Sequence, residues 1–403
     1  MEQWKKNLFV LWIGQFLVMA GMTMILPFMT LYLQFDLGLS DEHEIGVWAG
    51  LIFAGNFVTA FIFQPIWGKV ADRYGRKIML LRSGFGMAIV MVMMGFAATP
   101  LHLLLLRMLN GTISGFNPAS VALMSATAPK ERRGFALGTL QSGGIAGTIL
   151  GPLIGGLLAD AVGYRPIFYI TGALLFIAST LTWIVVKEPF DRAKAAAAEL
   201  ESVRQSFMRL MKIPQISALL TVTFLLQFAM MSPMTLIPLF VQELNGTLAN
   251  IAFWSGFVGS ITGLSNMVSS PLLGKLSDKI GAERVLGIAL AGAALSFIPQ
   301  AFVQSIWQLL ISRFLLGIFL GGLIPTVNAL IGKHTPSGME SRAYGFNGST
   351  LSLGNMLGPI TGGALSGFIG IRGLFLLSAV LLFANSIWVW QTLLRKRPAK
   401  ART

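Results

Sequence analysis

The 403-residue chain has no cysteine, three histidines, and 16 Asp and Glu against 30 Lys and Arg. Without cysteine there is no disulfide, no thiolate metal site and no cysteine nucleophile. No Gly-x-x-x-x-Gly-Lys-Ser/Thr loop occurs, which removes the usual cradle for ATP hydrolysis. His-Glu-x-x-His and Gly-x-Ser-x-Gly are absent too, so the chain is not expected to be an enzyme. No metal or organic cofactor is expected, and energy must come from an ion gradient or from the substrate. His43, flanked by Asp41, Glu42 and Glu44, reads as a solvated outer loop.

What fills the chain instead is apolar: 54% of its residues are hydrophobic and 11% are charged, far from the composition of a soluble domain. Runs long enough to span a bilayer recur throughout, which points to helices, because a barrel would alternate over short segments. The fold class expected is all-α integral membrane, with twelve transmembrane helices from Leu8–Gln34 to Gly373–Leu394. The first apolar stretch is too long for a signal peptide and is read as a retained span. The net charge of +14 is not a nucleic-acid footprint, because all but four Lys and Arg fall in segments assigned to the cytoplasmic side. An even number of spans then puts both termini in the cytoplasm.

The two halves of the chain repeat each other. Pro65, Gly68, Lys69, Asp72, Arg107 and Gly111 return 206 residues later as Pro271, Gly274, Lys275, Asp278, Arg313 and Gly317. Gly151, Pro152 and Arg165 return 207 residues later as Gly358, Pro359 and Arg372. Two pseudo-symmetric six-helix halves, 1–187 and 215–403, are therefore expected to be joined by a charged cytoplasmic linker, 188–214. Within that linker Arg204 to Lys212 has the pattern of an amphipathic helix, although a plain connector fits as well.

Three motifs carry chemistry. Gly68 to Lys77 reads Gly-Lys-Val-Ala-Asp-Arg-Tyr-Gly-Arg-Lys between the second and third spans. Its glycines permit a tight turn, and Asp72 is expected at the start of the next helix, accepting from free N–H groups and pairing with Arg73 or Arg76. A charge cluster at the membrane boundary suits a gate, or a simple positive-inside anchor. In the fourth span Arg107, Asn110, Ser114 and Asn117 are spaced to share one helix face, which should avoid lipid. In the fifth, Gly143, Gly147, Gly151 and Gly155 recur every four residues with Pro152 among them, a stripe on which another helix can pack closely. Gly354, Gly358, Pro359 and Gly362 repeat the stripe in the eleventh span.

These motifs resemble those of the major facilitator superfamily of secondary transporters, over nearly the whole chain. The loop, the Arg-x-x-Asn-Gly run from Arg107 and the glycine stripes look most like the twelve-helix drug:proton antiporter group, whose members include bacterial multidrug efflux proteins. The resemblance implies alternating access in the cytoplasmic membrane, with Gly147, Gly151, Pro152, Gly155, Gly358 and Pro359 as the antiporter motif. It also implies that Arg107 influences proton movement, while the plain reading makes Arg107 a tie to a neighbouring carbonyl. One departure is that Ala282 and Glu283 stand where the loop's Arg-Lys ending would return.

A proton-coupled exporter needs an acid that sees both sides in turn, yet no Asp or Glu falls at the middle of a span. Asp36 and Asp160, at outer helix ends, are the candidates, Asp160 also being placed to pair with Arg165. By resemblance, helices one, four, seven and ten line the cavity. They and their neighbours offer Met22, Asn56, Asn110, Phe116, Asn117, Phe224, Gln227, Phe228, Met231, Asn266 and Asn328. Flexible Met, aromatic faces and neutral amides suit lipophilic or cationic small molecules. The expected partners are those substrates, protons and membrane lipids, with no nucleic acid and a monomeric protein. The expected activity is export of lipophilic drugs or toxic compounds in exchange for protons. A facilitator or importer of one metabolite, or an exporter of a single drug, are the alternatives.

Overall fold

The computed structural model describes residues 2–25, 28–129, 132–188, 203–246, 250–336 and 339–394, and every regular element in them is helical. In the first part of the chain α1 covers Gln3–Met24, α2 Met29–Phe35, α3 Glu42–Tyr74, α4 Arg76–Gly95, α5 Pro100–Ile113, α6 Phe116–Thr127, α7 Arg133–Val162 and α8 Tyr164–Val185. The second part holds α9 Val203–Met211, α10 Pro214–Met231, α11 Ile237–Asn245, α12 Ile251–Ile280, α13 Ala282–Gln300, α14 Ile306–His334 and α15 Glu340–Val389. Residues 189–202, most of the expected linker, lie outside the described residues.

Ten helical segments among the described residues are long and apolar enough to cross a membrane. The twelve expected spans are nonetheless present. α15 holds two of them, since Gly370 interrupts it with a φ of 68° and a ψ of 173°. The fourth span is missing from the ten because it is not one helix. α5 ends at Ile113, Gly115 takes a φ of 137°, and α6 starts at Phe116. Arg107, Asn110 and Ser114 therefore do not share a helix with Asn117, contrary to the expectation from their spacing. The local cause is legible: a left-handed residue favours glycine, and Pro118 suits the first turn of a new helix, where its missing N–H costs nothing.

The chain divides into two compact units, Met1–Glu199 with Ile237–Ser260, and Leu200–Leu236 with Ile261–Thr403. In the first, the glycine stripe of α7 lies on α1. A Cβ at Gly143 would sit 2.7 Å from the Trp12 carbonyl oxygen, and one at Gly155 would be 2.7 Å from Met24 Cα, so only glycine admits this approach. In the second unit the stripe of α15 lies on α10 in the same way, Gly358 facing Phe228 and Met231 and Gly362 facing Ser232. Without a hydrophobic drive between helices in lipid, such close backbone packing is what holds spans together.

The repeat reaches down to single backbone angles. Gly75 (φ 103°, ψ 151°) and Gly281 (φ 96°, ψ 141°) make the turns into α4 and α13. Gly163 and Gly370, with φ of 83° and 68°, make the last turn of each half. Thr99 and Ser305 cap α5 and α14 through their side-chain oxygens. A sequence duplicated at fixed offset has kept its turn chemistry in both copies.

Candidate functional site

The turn at Gly75 joins α3 to α4 with one intervening residue. Asp72 and Arg73 belong to the last turn of α3, not to the start of the next helix as expected, and their side chains lie outside the described residues. The acid that meets the free end of α4 is Glu188. Its two oxygens accept from the backbone N–H groups of Arg76 and Lys77 at 3.0 and 2.8 Å. A carboxylate there also meets the positive end of the helix dipole. Arg76 Nη1 stands farther off, 3.9 Å from Glu188 Oε1. Lys77 Nζ donates to the Trp183 carbonyl at 2.8 Å, tying α4 to α8. In the repeat, Glu283 instead pairs with Lys333 at 2.7 Å, linking α13 to α14. The replacement of Arg-Lys by Ala282 and Glu283 thus changes the kind of contact at the second turn.

At the other end of these helices, Arg165 pairs with Asp36 rather than with Asp160. The Nε–Oδ1 distance is 3.4 Å, and the guanidinium lies over the Tyr32 ring. Asp160 is turned toward α12, where its Oδ2 accepts from the N–H of Phe253 at 2.8 Å. The two candidate acids are therefore engaged differently, one by a cation and one by a helix end. α7 and α12 touch backbone to backbone just beyond this contact, Gly156 facing Ala252 and Gly256 facing Pro152.

Deeper in the first unit, Arg107 is 3% exposed, and its Nε has no hydrogen-bond partner. Among the described residues, Nε makes no tie to a carbonyl. Its counterpart Arg313 is 1% exposed, with Nε and Nη2 unpartnered and the group 5.8 Å from the Phe375 ring centroid. Asn56 and Asn110 are bonded to each other at 2.8 Å, both buried, where α3 meets α5. Gly111, one residue on, lies against the Asn56 carbonyl and Thr59. Asn117, half-exposed, accepts from Gln15 Nε2 at 3.0 Å across α1 and α6. Phe116 is buried against Gly14 of α1 and Gly84 of α4, while Met22 is half-exposed on α1.

The second unit has its own polar relay. Thr223 Oγ1 donates to Asn347 Oδ1 at 2.8 Å, and Asn347 Nδ2 donates to Asn328 Oδ1 at 3.2 Å, which joins α10, α15 and α14. Gln227 Nε2 donates to Asn355 Oδ1. Phe224 and Phe228 stack obliquely on α10, ring centroids 5.8 Å apart, and with Met231 they are half-exposed. Asn266 is half-exposed on α12. Glu188, Gln15, Asn347 and Asn355 were not picked out from the sequence. Each is a polar residue within or beside an apolar run, and that is the only signal by which they stand out.

The sequence profile described as Major Facilitator Superfamily matches residues 11–268 and 254–403, which together take in nearly all of the chain. The protein belongs to the major facilitator superfamily. Among curated relatives, Multidrug resistance protein MdtG of Salmonella paratyphi A is 42% identical over 396 residues, 98% of this chain and 97% of its own. The protein of the same name from Yersinia enterocolitica is 43% identical over 399 residues, covering 99% and 95%. Solved structures share the fold at low identity. A bacterial homologue of the human lysosomal transporter Spinster has a TM-score of 0.80 at 16% identity, covering all of both chains. A D-xylose-proton symporter has 0.79 at 16%, covering 97% and 98%. As a member of this superfamily the protein is a multi-pass membrane transporter.

Proposed function

We propose that the protein exports lipophilic or cationic small molecules across the cytoplasmic membrane in exchange for protons, by alternating access, with both termini in the cytoplasm. The observation that carries this reading is the 42–43% identity, over nearly full length, to proteins named for multidrug resistance. The close packing of the α7 stripe on α1 and its copy on α10 and α15 supports it. The moving parts are the halves 1–187 and 215–403, joined through 188–214. The protein acts as a monomer, with lipids around it and no cofactor.

In this reading Asp36 and Asp160 carry the coupling. Protonation of Asp36 removes the charge that holds Arg165, and protonation of Asp160 weakens its hold on the Phe253 N–H. Either protonation favours a rearranged state by the free energy of the interaction it weakens. Asp72, Arg73 and Arg76 gate the cytoplasmic end, and buried Arg107 supplies a fixed positive charge that disfavours a second cation nearby. Half-exposed Met22 and Asn117 in the first unit, and Phe224, Gln227, Phe228, Met231, Asn266 and Asn328 in the second, are the side chains left to meet substrate, while buried Phe116 holds α6 against α1 and α4. Asn56 and Asn110 contribute by holding α3 on α5.

The test uses purified protein in proteoliposomes with an imposed pH gradient, several unrelated lipophilic dyes and an internal pH probe. Dye movement that reverses with the gradient and carries counter-moving protons is expected. Loss of that coupling in Asp36→Asn or Asp160→Asn, with dye exchange retained, assigns the acid. Movement indifferent to the gradient would overturn proton exchange in favour of facilitated diffusion.

A further inference from the structure

A cavity of about 360 Å³ lies where α3 and α4 meet the break in the fourth span, with Gln64, Trp67, Arg76, Arg82, Ser114 and Pro118 in its wall. Its remaining lining is alanine, glycine and methionine, so Arg76 and Arg82 stand beside apolar surface with no Asp or Glu among the described lining residues. Arg82 lies flat over Trp67, its guanidinium carbon 3.6 Å from the ring centroid. Trp67 is itself fixed, since its Nε1 donates to the Thr112 carbonyl at 2.7 Å. Arg82 Nη2 donates to the Ser114 carbonyl, one of those freed where α5 ends. The other two nitrogens, Nε and Nη1, are enclosed and have no hydrogen-bond partner.

Two enclosed guanidinium donors left unmet are costly, and the group that best satisfies them is an oxyanion with several acceptor oxygens. Arg76 adds a second positive charge, its neighbour among the described carboxylates, Glu188, standing 3.9 Å away and engaged by two backbone N–H groups. The cavity begins at the first residue of α4, at the basic boundary of the membrane. Basic pockets between spans on the cytoplasmic side are suited to phosphate head groups. The apolar wall formed by Met79, Pro118 and Ala122 suits the start of an alkyl chain.

We propose that this cavity binds the phosphate group of an anionic amphiphile, with Arg82 and Arg76 supplying charge and Trp67 holding the Arg82 plane. Entry requires the Arg82 side chain to turn toward the space it already lines. The same chemistry is offered by an anionic phospholipid and by a soluble alkyl phosphate. Occupation would brace α4 against the broken fourth span.

Native mass spectrometry of the full-length protein, titrated separately with phosphatidylglycerol and with octyl phosphate, reads the binding directly and does not depend on whether any drug is transported. One saturable site is expected, for either or both probes, and octanol should not compete. A response to phosphatidylglycerol alone identifies lipid as the source, and a response to octyl phosphate alone identifies a soluble phosphate. Arg82→Gln should weaken binding about ten- to a hundredfold, the loss typical of a charged hydrogen-bonding partner. Arg76→Gln, at a helix start, should weaken it less and serves if Arg82→Gln does not fold. Absence of a saturable site for both probes, or affinity within twofold of wild type in both variants, overturns the proposal.

Discussion

Glu188 closes the N-terminus of a helix that begins 112 residues before it, accepting from the Arg76 and Lys77 N–H groups with one oxygen each. The chain leaving α8 thereby staples the turn at Gly75, so the loop motif is held by an acid outside the motif. Glu188→Ala should cost about 1 kcal/mol, the usual worth of a helix cap, and Glu188→Gln should cost less because it keeps an acceptor. Thermal unfolding of the purified variants in detergent checks this. Equal melting temperatures for wild type and Glu188→Ala would remove the cap from the account.

The glycines of α7 are not interchangeable. Gly155 faces the backbone of Met24, whereas a Cβ at Gly138 on the same helix would meet nothing within 4 Å. Gly155→Val should destabilise the fold by roughly 1–3 kcal/mol through overpacking and abolish transport. Gly138→Ala should be neutral or stabilising by up to about 1 kcal/mol, from helix propensity. Similar behaviour of the two variants in a melting assay would contradict the packing of α7 on α1.

The Asn56–Asn110 pair is buried, so truncating either residue leaves the other without a partner. Asn56→Ala and Asn110→Ala should each cost about 1–3 kcal/mol, and the double variant less than their sum. A double-mutant cycle on melting would show no coupling if the two amides acted separately.

Asp36 and Arg165 form a partly exposed pair, side chains 28% and 39% exposed, and such pairs contribute under about 1 kcal/mol. Asp36→Asn and Arg165→Gln should therefore leave the melting temperature nearly unchanged. Gradient-driven dye movement in proteoliposomes should fall in both, since the pair is broken in each. Full transport activity in Arg165→Gln would show that the pair plays no part in the cycle.

Much of the architecture is legible in the residues alone. Apolar runs of bilayer length announce the spans, because lipid leaves helices few alternatives, and the 206- and 207-residue offsets announce two related halves. Gly75 and Gly281, and Gly163 and Gly370, stand at those offsets with positive φ angles. The break at Gly115 has a local signal too, a glycine two residues before the Asn117-Pro118 pair, but the spacing of Arg107, Asn110, Ser114 and Asn117 imitates one continuous face.

The partners of the charged and polar groups belong to the tertiary structure. Asp36 takes Arg165 although Asp160 is nearer to it in sequence, Glu188 takes the place expected of Asp72, and Asn328 reaches Thr223 through Asn347. Periodicity, turn residues and capping act within a few positions along the chain, so the sequence by itself determined the spans, their turns and the duplication. An ion pair or buried amide bond depends on which side chains two packed helices bring within about 3 Å, a distance fixed only when glycine stripes and turns have set the helices against each other.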